Sequence, residues 1–424
     1  MKVYMVGIGG IGMSALAQLY LSEGNAVTGS DREKSLTTEL LESKGIRVLL
    51  TQNAENVPQD AELVVYSDAV WEDNPERRRA KELGLRQVSY FEALGEVSKG
   101  RLTIAVTGTH GKTTTTAMLA DILKDSGKEP TAIIGSIVRE FGSNYLEGKK
   151  DLLVVEACEY KDHVLKLSPH ILVLTNLEWD HTDWFPSLEV MLEMFAKAVE
   201  KVPKDGVIIA NLKAPHVSVV LKGTKARLVD YSEETVPKLH LIGEFNRMNA
   251  RAAKAAARAY APDLADDAMD TSLSTFQGTW RRFEYKGETP EGAFVFDDYA
   301  HHPTAIRETL KSAYDIMLSG RKLIVAFHPH LYSRTRDLMD EFAGAFEGAD
   351  EVVLAPIYPA REDPIPGITS EALAKRIEKH GVVAKAFQSL EAVEAYLRTV
   401  SDKKTNILTM GAGDIYKVAD NLVK

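Results

Sequence analysis

The chain has 424 residues, 45% of them hydrophobic, with 51 basic and 61 acidic side chains and a formal net charge of -10. That length exceeds what one hydrophobic core usually organises, so two or three domains are expected; the acidic balance excludes general affinity for nucleic acid, which needs many cations facing phosphates. No apolar run is long enough to cross a bilayer, the start MKVYMVGIGG lacks the pattern of a secretory leader, and the single Cys158 cannot form an internal disulfide, so a cytoplasmic enzyme without membrane insertion is expected.

The first apolar run, KVYMV, breaks into Gly7, Gly9 and Gly12 in G-x-G-x-x-G order and opens a helical pattern, and Asp31 ends the next apolar run at about the distance of a ribose-binding acid. These glycines certify a tight turn with close phosphate approach at a helix N-terminus. On local grounds NAD and another nucleotide diphosphate fit equally well.

Residues 102 to 116, LTIAVTGTHGKTTTT, form a second strand, glycine loop and helix start. The ordinary P-loop has a glycine five positions before its Gly-Lys pair; here that position is Val106, and Gly108 stands only three back from Gly111. Lys112 suits the outer phosphates of a nucleotide and Thr113 suits magnesium. Met118, Leu119, Ile122 and Leu123 then share one helical face, and Gly127 marks its end.

Further apolar runs end in polar clusters: DLLVVEACEY, HILVLTNLEWDH, GVIIANL, AFVFDDYAHHP, KLIVAFHPH, EVVLAPIYP and NILTMGAGD. Strand-like runs alternating with helical patterns predict an α/β fold of parallel sheets covered on both faces, with ligands beyond the carboxyl ends of the strands. Three domains are expected: a Rossmann-like block over 1–98, a central P-loop ATPase-type block over 99–279, and a C-terminal Rossmann-like block over 280–424. After YAHHP, Pro303 suits a first helical turn and Ile306, Leu310, Tyr314 and Met317 repeat at helical spacing. His110, His181, His301, His302, His328 and His330 follow apolar runs directly. A zinc site would use pairs such as His328 and His330, but the chain has neither a thiol cluster nor an H-E-x-x-H helix.

The compressed loop GTHGKTTTTAM resembles that of the Mur ligase family, the ATP-dependent amide-forming enzymes of peptidoglycan precursor synthesis. GIGGIGMSALA, SDAVWEDNPE, TNLEWDHTDWF, GEFNRMNARAA, DDYAHHPTAI, FHPHLYSRTRDL, IYPAREDPIPGITSEAL and GAGDIY extend the resemblance over essentially the whole chain, in the order of the branch that joins L-alanine to UDP-N-acetylmuramate. The resemblance implies the UDP diphosphate at Gly9, Gly10, Ile11 and Gly12, with Asp31 and Ser67 completing the sugar-nucleotide site. It implies ATP at Gly108, Thr109, His110, Gly111, Lys112, Thr113 and Thr114, with Asn246, Asn249 and Asp298, and Mg2+ at Thr113, Glu156 and His181. Lys112, Glu156, His181, His302, His330 and Arg334 are then the catalytic group, Arg334 being suited to a carboxylate or phosphate because its guanidinium can bond two oxygens. The substrates implied are UDP-N-acetylmuramate and L-alanine, and the chain is expected to be a monomer or weak homo-oligomer.

The match departs in places. Leu331 stands where the alanine branch usually has an arginine, EACEY replaces a more acidic Glu-Ala-Asp-Glu-Ser segment, and Arg361 stands where glycine is common. Lys197 lies in the neighbourhood of a lysine that some branches carry carbamylated. The rival within the family is the recycling ligase that adds L-alanyl-D-glutamyl-meso-diaminopimelate to the same sugar nucleotide; GIGGIGMS and HPH favour the alanine branch. An NAD-dependent oxidoreductase would be supported only by Gly7, Gly9, Gly12 and Asp31. A non-catalytic UDP-sugar sensor would leave Lys112, Glu156 and His181 without a role.

Overall fold

The structure is a computed structural model that describes residues 1–149, 151–316 and 320–424; Met317, the last position of the helical repeat above, lies outside them. Every apolar run quoted above is a strand, and the strands form three sheets, each flanked by helices as the α/β reading requires.

The first sheet holds β1 (Lys2–Val6), β2 (Ala26–Ser30), β3 (Arg47–Leu49), β4 (Leu63–Tyr66) and β5 (Gln87–Ser89), all parallel in the order β3-β2-β1-β4-β5. The order reverses between β1 and β4, which opens a crevice at their carboxyl ends. Gly7 and Ser67 stand there face to face: a Cβ on Gly7 would come within 3.0 Å of Ser67 Cβ.

The second sheet holds β6 (Leu102–Thr107), β7 (Thr131–Val138), β8 (Ser143–Leu146), β9 (Leu152–Glu156), β10 (Ile171–Leu174), β11 (Val207–Ala210) and β12 (Arg227–Asp230). Their order, β12-β11-β10-β6-β9-β7-β8, puts β6 between β9 and β10. The loop after β6 is therefore flanked by two strand ends, Glu156 on one side and Thr175 on the other. The helix Lys112–Asp125 buries Ala117, Met118, Leu119, Ala120, Ile122 and Leu123 in the same core as Ala250, Ala252, Ala253 and Ala256 of the helix Glu244–Tyr260. Burying each leucine or isoleucine there contributes about 1.5–3 kcal/mol, so the helix that carries the loop is firmly seated.

The third sheet holds β13 (Glu284–Glu288), β14 (Phe294–Asp298), β15 (Lys322–Phe327), β16 (Glu351–Leu354), β17 (Val383–Ala386) and β18 (Thr405–Met410) in the order β13-β14-β18-β15-β16-β17. The expectation of wholly parallel sheets needs correction at two edges, because β7–β8 and β13–β14 pair antiparallel. Residues 139–142 and 289–293 are too few for the crossover a parallel pair requires.

The chain divides into two compact units. Met1–Glu178, Met191–Leu241 and Asn246–Thr279 make one, which carries the first two sheets; Trp179–Val190, Ile242–Phe245 and Trp280–Lys424 make the other, which carries the third. Among the described residues no helix is long and apolar enough to cross a membrane.

Candidate active site

In the first unit the loop after β6 has a shape that only glycines allow. Gly108 has φ +123° and Gly111 φ +81°, and a Cβ on Gly108 would press to 2.8 Å from the Asn176 carbonyl oxygen. A Cβ on Gly111 would collide with the side-chain oxygen of Asn249. Neighbouring strand ends hold the loop in place. Thr175 Oγ1 donates to His110 O at 2.6 Å, and Asn176 brackets the same residue, accepting from His110 N at 2.9 Å and donating to His110 O at 3.0 Å. Thr109 Oγ1 donates to Glu178 O at 2.8 Å and accepts from Glu178 N at 2.9 Å, and His110 Nε2 lies 3.4 Å from Glu178 Oε2. Gly111 caps the helix Lys112–Asp125 without any side-chain cap bond, which leaves the first N–H groups and the positive dipole end aimed at the loop.

Two carboxylates meet this loop. Glu156, at the carboxyl end of β9, accepts from Thr113 Oγ1 at 2.9 Å and from Gly135 N at 2.7 Å. Gly135 is required for that approach, since a Cβ there would overlap the carboxyl group. Glu159, 1% exposed, binds Lys112 Nζ through both oxygens at 3.0 and 2.9 Å, and the same nitrogen donates to Gly108 O at 2.6 Å and Thr109 O at 3.0 Å. Burial alone would lower the Lys112 pKa, but Glu159, helped by Cys158 and Glu156, outweighs it and raises it, so the ammonium stays charged. Burial and then Glu159 push the Cys158 thiol up to about 12 despite Lys112, which favours its protonated form. A carboxylate beside a hydroxyl at the open start of a helix is a set of hard oxygen donors, which fits magnesium. Asn246 and Asn249 are both buried beside this loop, with Asn249 Nδ2 donating to Asn246 Oδ1 at 3.3 Å.

In the first glycine loop Gly10 caps the helix Ile11–Ser22, and Asp31 Oδ2 accepts from Gly9 N at 2.8 Å, so the acid at the end of β2 also closes this turn. Lys197 is exposed on the helix Leu188–Glu200.

The second unit gathers the remaining expected residues. Arg334, 2% exposed, donates from Nε to Asp180 Oδ1 at 2.8 Å, and its Nη1 meets His330 Nδ1 at 3.1 Å. That contact makes Nδ1 an acceptor and leaves the His330 proton on Nε2. Burial, then Arg334 and Arg361, push the His330 pKa down to about 3, consistent with a neutral ring, which stacks on Tyr358 with centroids 5.5 Å apart. Asp180 moves the opposite way to what burial favours: Arg334, with His181, His302 and His301, holds it well below the usual carboxylate range. His302 Nε2 donates to Trp179 O at 3.2 Å while its Nδ1 accepts from Thr304 N at 3.3 Å, which fixes its tautomer. His181 has φ +51° and donates its backbone N–H to Asp180 Oδ1 at 2.7 Å. Asp298 ends β14 with its oxygens accepting from Phe283 N and Ala300 N, each at 2.7 Å. Leu331 is 1% exposed with φ +71°, so the position that usually carries a cation faces packed side chains. Arg361 pairs with Asp183.

Sequence reasoning passed over Glu159, Asn176 and Asp180. Each stood inside a quoted motif, and what singles it out is a partner distant in the chain: Lys112, His110 or Arg334.

Comparison with known proteins places the whole chain beside named relatives. The profile described as "Mur ligase family, catalytic domain" matches residues 2–101, "Mur ligase middle domain" matches 106–238, and "Mur ligase, glutamate ligase domain" matches 281–413. The chain is similar to the UDP-N-acetylmuramate–L-alanine ligase of Clostridium kluyveri, at 35% identity across 99% of this chain and 97% of the relative. Its structure is similar to that of the UDP-N-acetylmuramate–alanine ligase of Thermotoga maritima, with a TM-score of 0.81 and 30% identity over 100% of this chain and 98% of that one. A murein peptide ligase from Psychrobacter arcticus gives a TM-score of 0.75 and 25% identity over 100% of both chains.

Proposed function

We infer the activity from one premise: this chain belongs to the Mur ligase family. It is a UDP-N-acetylmuramate–L-alanine ligase of peptidoglycan precursor synthesis, the activity named for relatives that it matches over nearly their whole length. The geometry that supports it best is the loop in which the Lys112 ammonium is held against Gly108 and Thr109 at the open N-terminus of its helix, beside Thr113 and Glu156.

A carboxylate resists attack by an amine because oxide is a poor leaving group. Transfer of the γ-phosphoryl group of ATP to a carboxylate oxygen of UDP-N-acetylmuramate yields ADP and an acyl phosphate. The amine of L-alanine then attacks the carbonyl carbon, loses its proton, and phosphate leaves with the C–O electron pair. Lys112 and the helix N–H groups bind and orient the outer phosphates and oppose the charge that builds during transfer. Thr113 and Glu156 would hold magnesium; when bound, that ion neutralises phosphate charge. Arg334, buried and oriented by Asp180, is the group suited to an anionic oxygen pair, and His330 and His302 stand on the same unit in fixed neutral tautomers. In this reading residues 1–98 bind the UDP-sugar, with Gly9, Gly10, Ile11, Gly12, Asp31 and Ser67 at its contact; residues 99–279 bind ATP, and 280–424 the amino acid.

The experiment is phosphate release from ATP, Mg2+ and UDP-N-acetylmuramate with amino acids offered singly, and with L-alanyl-D-glutamyl-meso-diaminopimelate. L-alanine is expected to give the highest kcat/KM. Release dependent on the tripeptide alone would replace this reading with the recycling ligase, and NADH oxidation without ligation would replace it with the oxidoreductase.

A further inference from the structure

One hairpin of the first unit links the two helix starts that follow the glycine loops, meeting one helix directly and the other through Glu156. Strands β7 and β8 pair with Ile133 opposite Tyr145 and Val138 opposite Ser143. From β7, Gly135 N donates to Glu156 Oε2, and the other oxygen of that carboxylate takes the Thr113 hydroxyl of the phosphate loop. From β8, Asn144 reaches the other loop. Fully buried, it donates from Nδ2 to the carbonyl of Ile11 and, at 2.9 Å, to Ser14 Oγ, and it accepts from Gln18 Nε2 at 3.0 Å. Ser143 Oγ donates to Gln18 Oε1 at 2.9 Å, and Ser22 Oγ meets Tyr145 OH at 2.7 Å. Ile11 is the first residue of the helix that Gly9 and Gly10 open, so Asn144 grips that helix at the end where a diphosphate is expected.

The character of this seam matters. An apolar contact between helix and hairpin would bury surface but tolerate sliding. A satisfied buried polar network holds one geometry, because every displacement leaves a donor or acceptor unpaired in a dry place. A second contact runs alongside: a Cβ on Gly12 would lie 2.6 Å from Tyr90 Cζ, so this helix start is also closed in by the Tyr90 ring.

We propose that Asn144 is a positioning residue that fixes the UDP-sugar loop from the ATP-binding side, so that the sugar nucleotide and the ATP site bind their ligands cooperatively. The proposal rests on the function inferred above. A ligand that orders the phosphate loop and Glu156 steadies β7, and β8 carries that order to Ile11. By linkage the effect is reciprocal.

Titration calorimetry with UDP-N-acetylmuramate, with and without saturating AMP-PNP and Mg2+, tests it. In the unaltered chain the analogue is expected to tighten sugar-nucleotide binding by about fivefold or more. In Asn144→Asp, which loses both donors and sets an anion against the Ile11 carbonyl, the enhancement is expected to fall below about twofold while AMP-PNP binding alone changes by less than about twofold. Ser14→Ala, a milder cut that spares the Ile11 bond, is expected to lose part of it. Full enhancement in both variants, or none in the unaltered chain, overturns the proposal. Binding of AMP-PNP but of no UDP-N-acetylmuramate in any state overturns the substrate assignment, and the proposal with it.

Discussion

The ammonium of Lys112 lies between the two carboxylate oxygens of Glu159, 3.0 Å from one and 2.9 Å from the other, in a place where Glu159 is 1% exposed. Removing one member of such a pair leaves the other charge buried without a partner, which costs about 3–5 kcal/mol. Lys112→Met is therefore expected to lose roughly that much stability in urea unfolding, and a second change, Glu159→Gln, to restore most of it. Both proteins are expected to lose about 10³-fold in kcat, since the cation proposed to meet the phosphates is gone from each. A double variant no more stable than Lys112→Met would show that Glu159 does not hold the lysine.

Gly135→Ala places a methyl group against the Glu156 carboxyl. The backbone at this position needs no left-handed conformation, so the fold is expected to survive with a melting temperature within a few degrees of the parent. The Mg2+ concentration for half-maximal rate is expected to rise by about tenfold, equivalent to about 1.4 kcal/mol of weakened binding. An unchanged Mg2+ dependence would remove Glu156 from the metal site.

Leu331→Arg looks from the sequence like a way to restore a missing substrate cation. The structure predicts a different outcome, because the side chain is 1% exposed and its backbone has φ +71°. Forcing a guanidinium into packed surroundings is expected to destabilise the chain by about 3 kcal/mol or more, read as a lowered denaturation midpoint. A stable variant with a new amino-acid preference would restore this position to substrate selection.

Acid should weaken the chain well above the range where carboxylates titrate. Burial pushes His328 down to about 4, with Asp414 opposing it, and pushes His330 down to about 3. Unfolded, both titrate near 6.5. Below that value the unfolded chain takes up protons that the folded chain refuses, so their stability is complete above about 6.5 and is lost as pH falls towards the folded values. Asp180, whose folded pKa is depressed, keeps its contribution until pH falls below about 3.9. Urea unfolding at pH 7 and pH 5 is expected to differ by about 2 kcal/mol for each such histidine, and His328→Asn to remove its share. The same difference in that variant would mean His328 is protonated in the folded chain.

Much of the fold is legible in the sequence because fully buried parallel strands are continuous apolar runs, as in LTIAV and LLVVE, and both glycine loops follow such runs directly. Other strands are harder to see. β13, EYKGE, is an edge strand with polar residues on both faces, and β12 is half exposed, so neither carries a burial pattern. Lys112 and Thr113 could be proposed because the glycine loop after a strand restricts their chemistry, and Glu156 because the family resemblance points to that strand end. Glu159 could not, since EACEY offers two acids and only the approach of Lys112 tells them apart. The partnership of Asp180 with Arg334 spans 154 residues, a separation no local pattern reports.

The central claim is that the loop bearing Lys112 directs the γ-phosphoryl group of ATP onto the sugar acid. Oxygen-18 in the carboxylate of UDP-N-acetylmuramate tests it most directly, with the released phosphate analysed by mass after turnover with ATP, Mg2+ and L-alanine. The account predicts one labelled oxygen in each phosphate formed per amide bond, and ADP without label. Unlabelled phosphate alongside amide product, or label appearing in AMP, would contradict it.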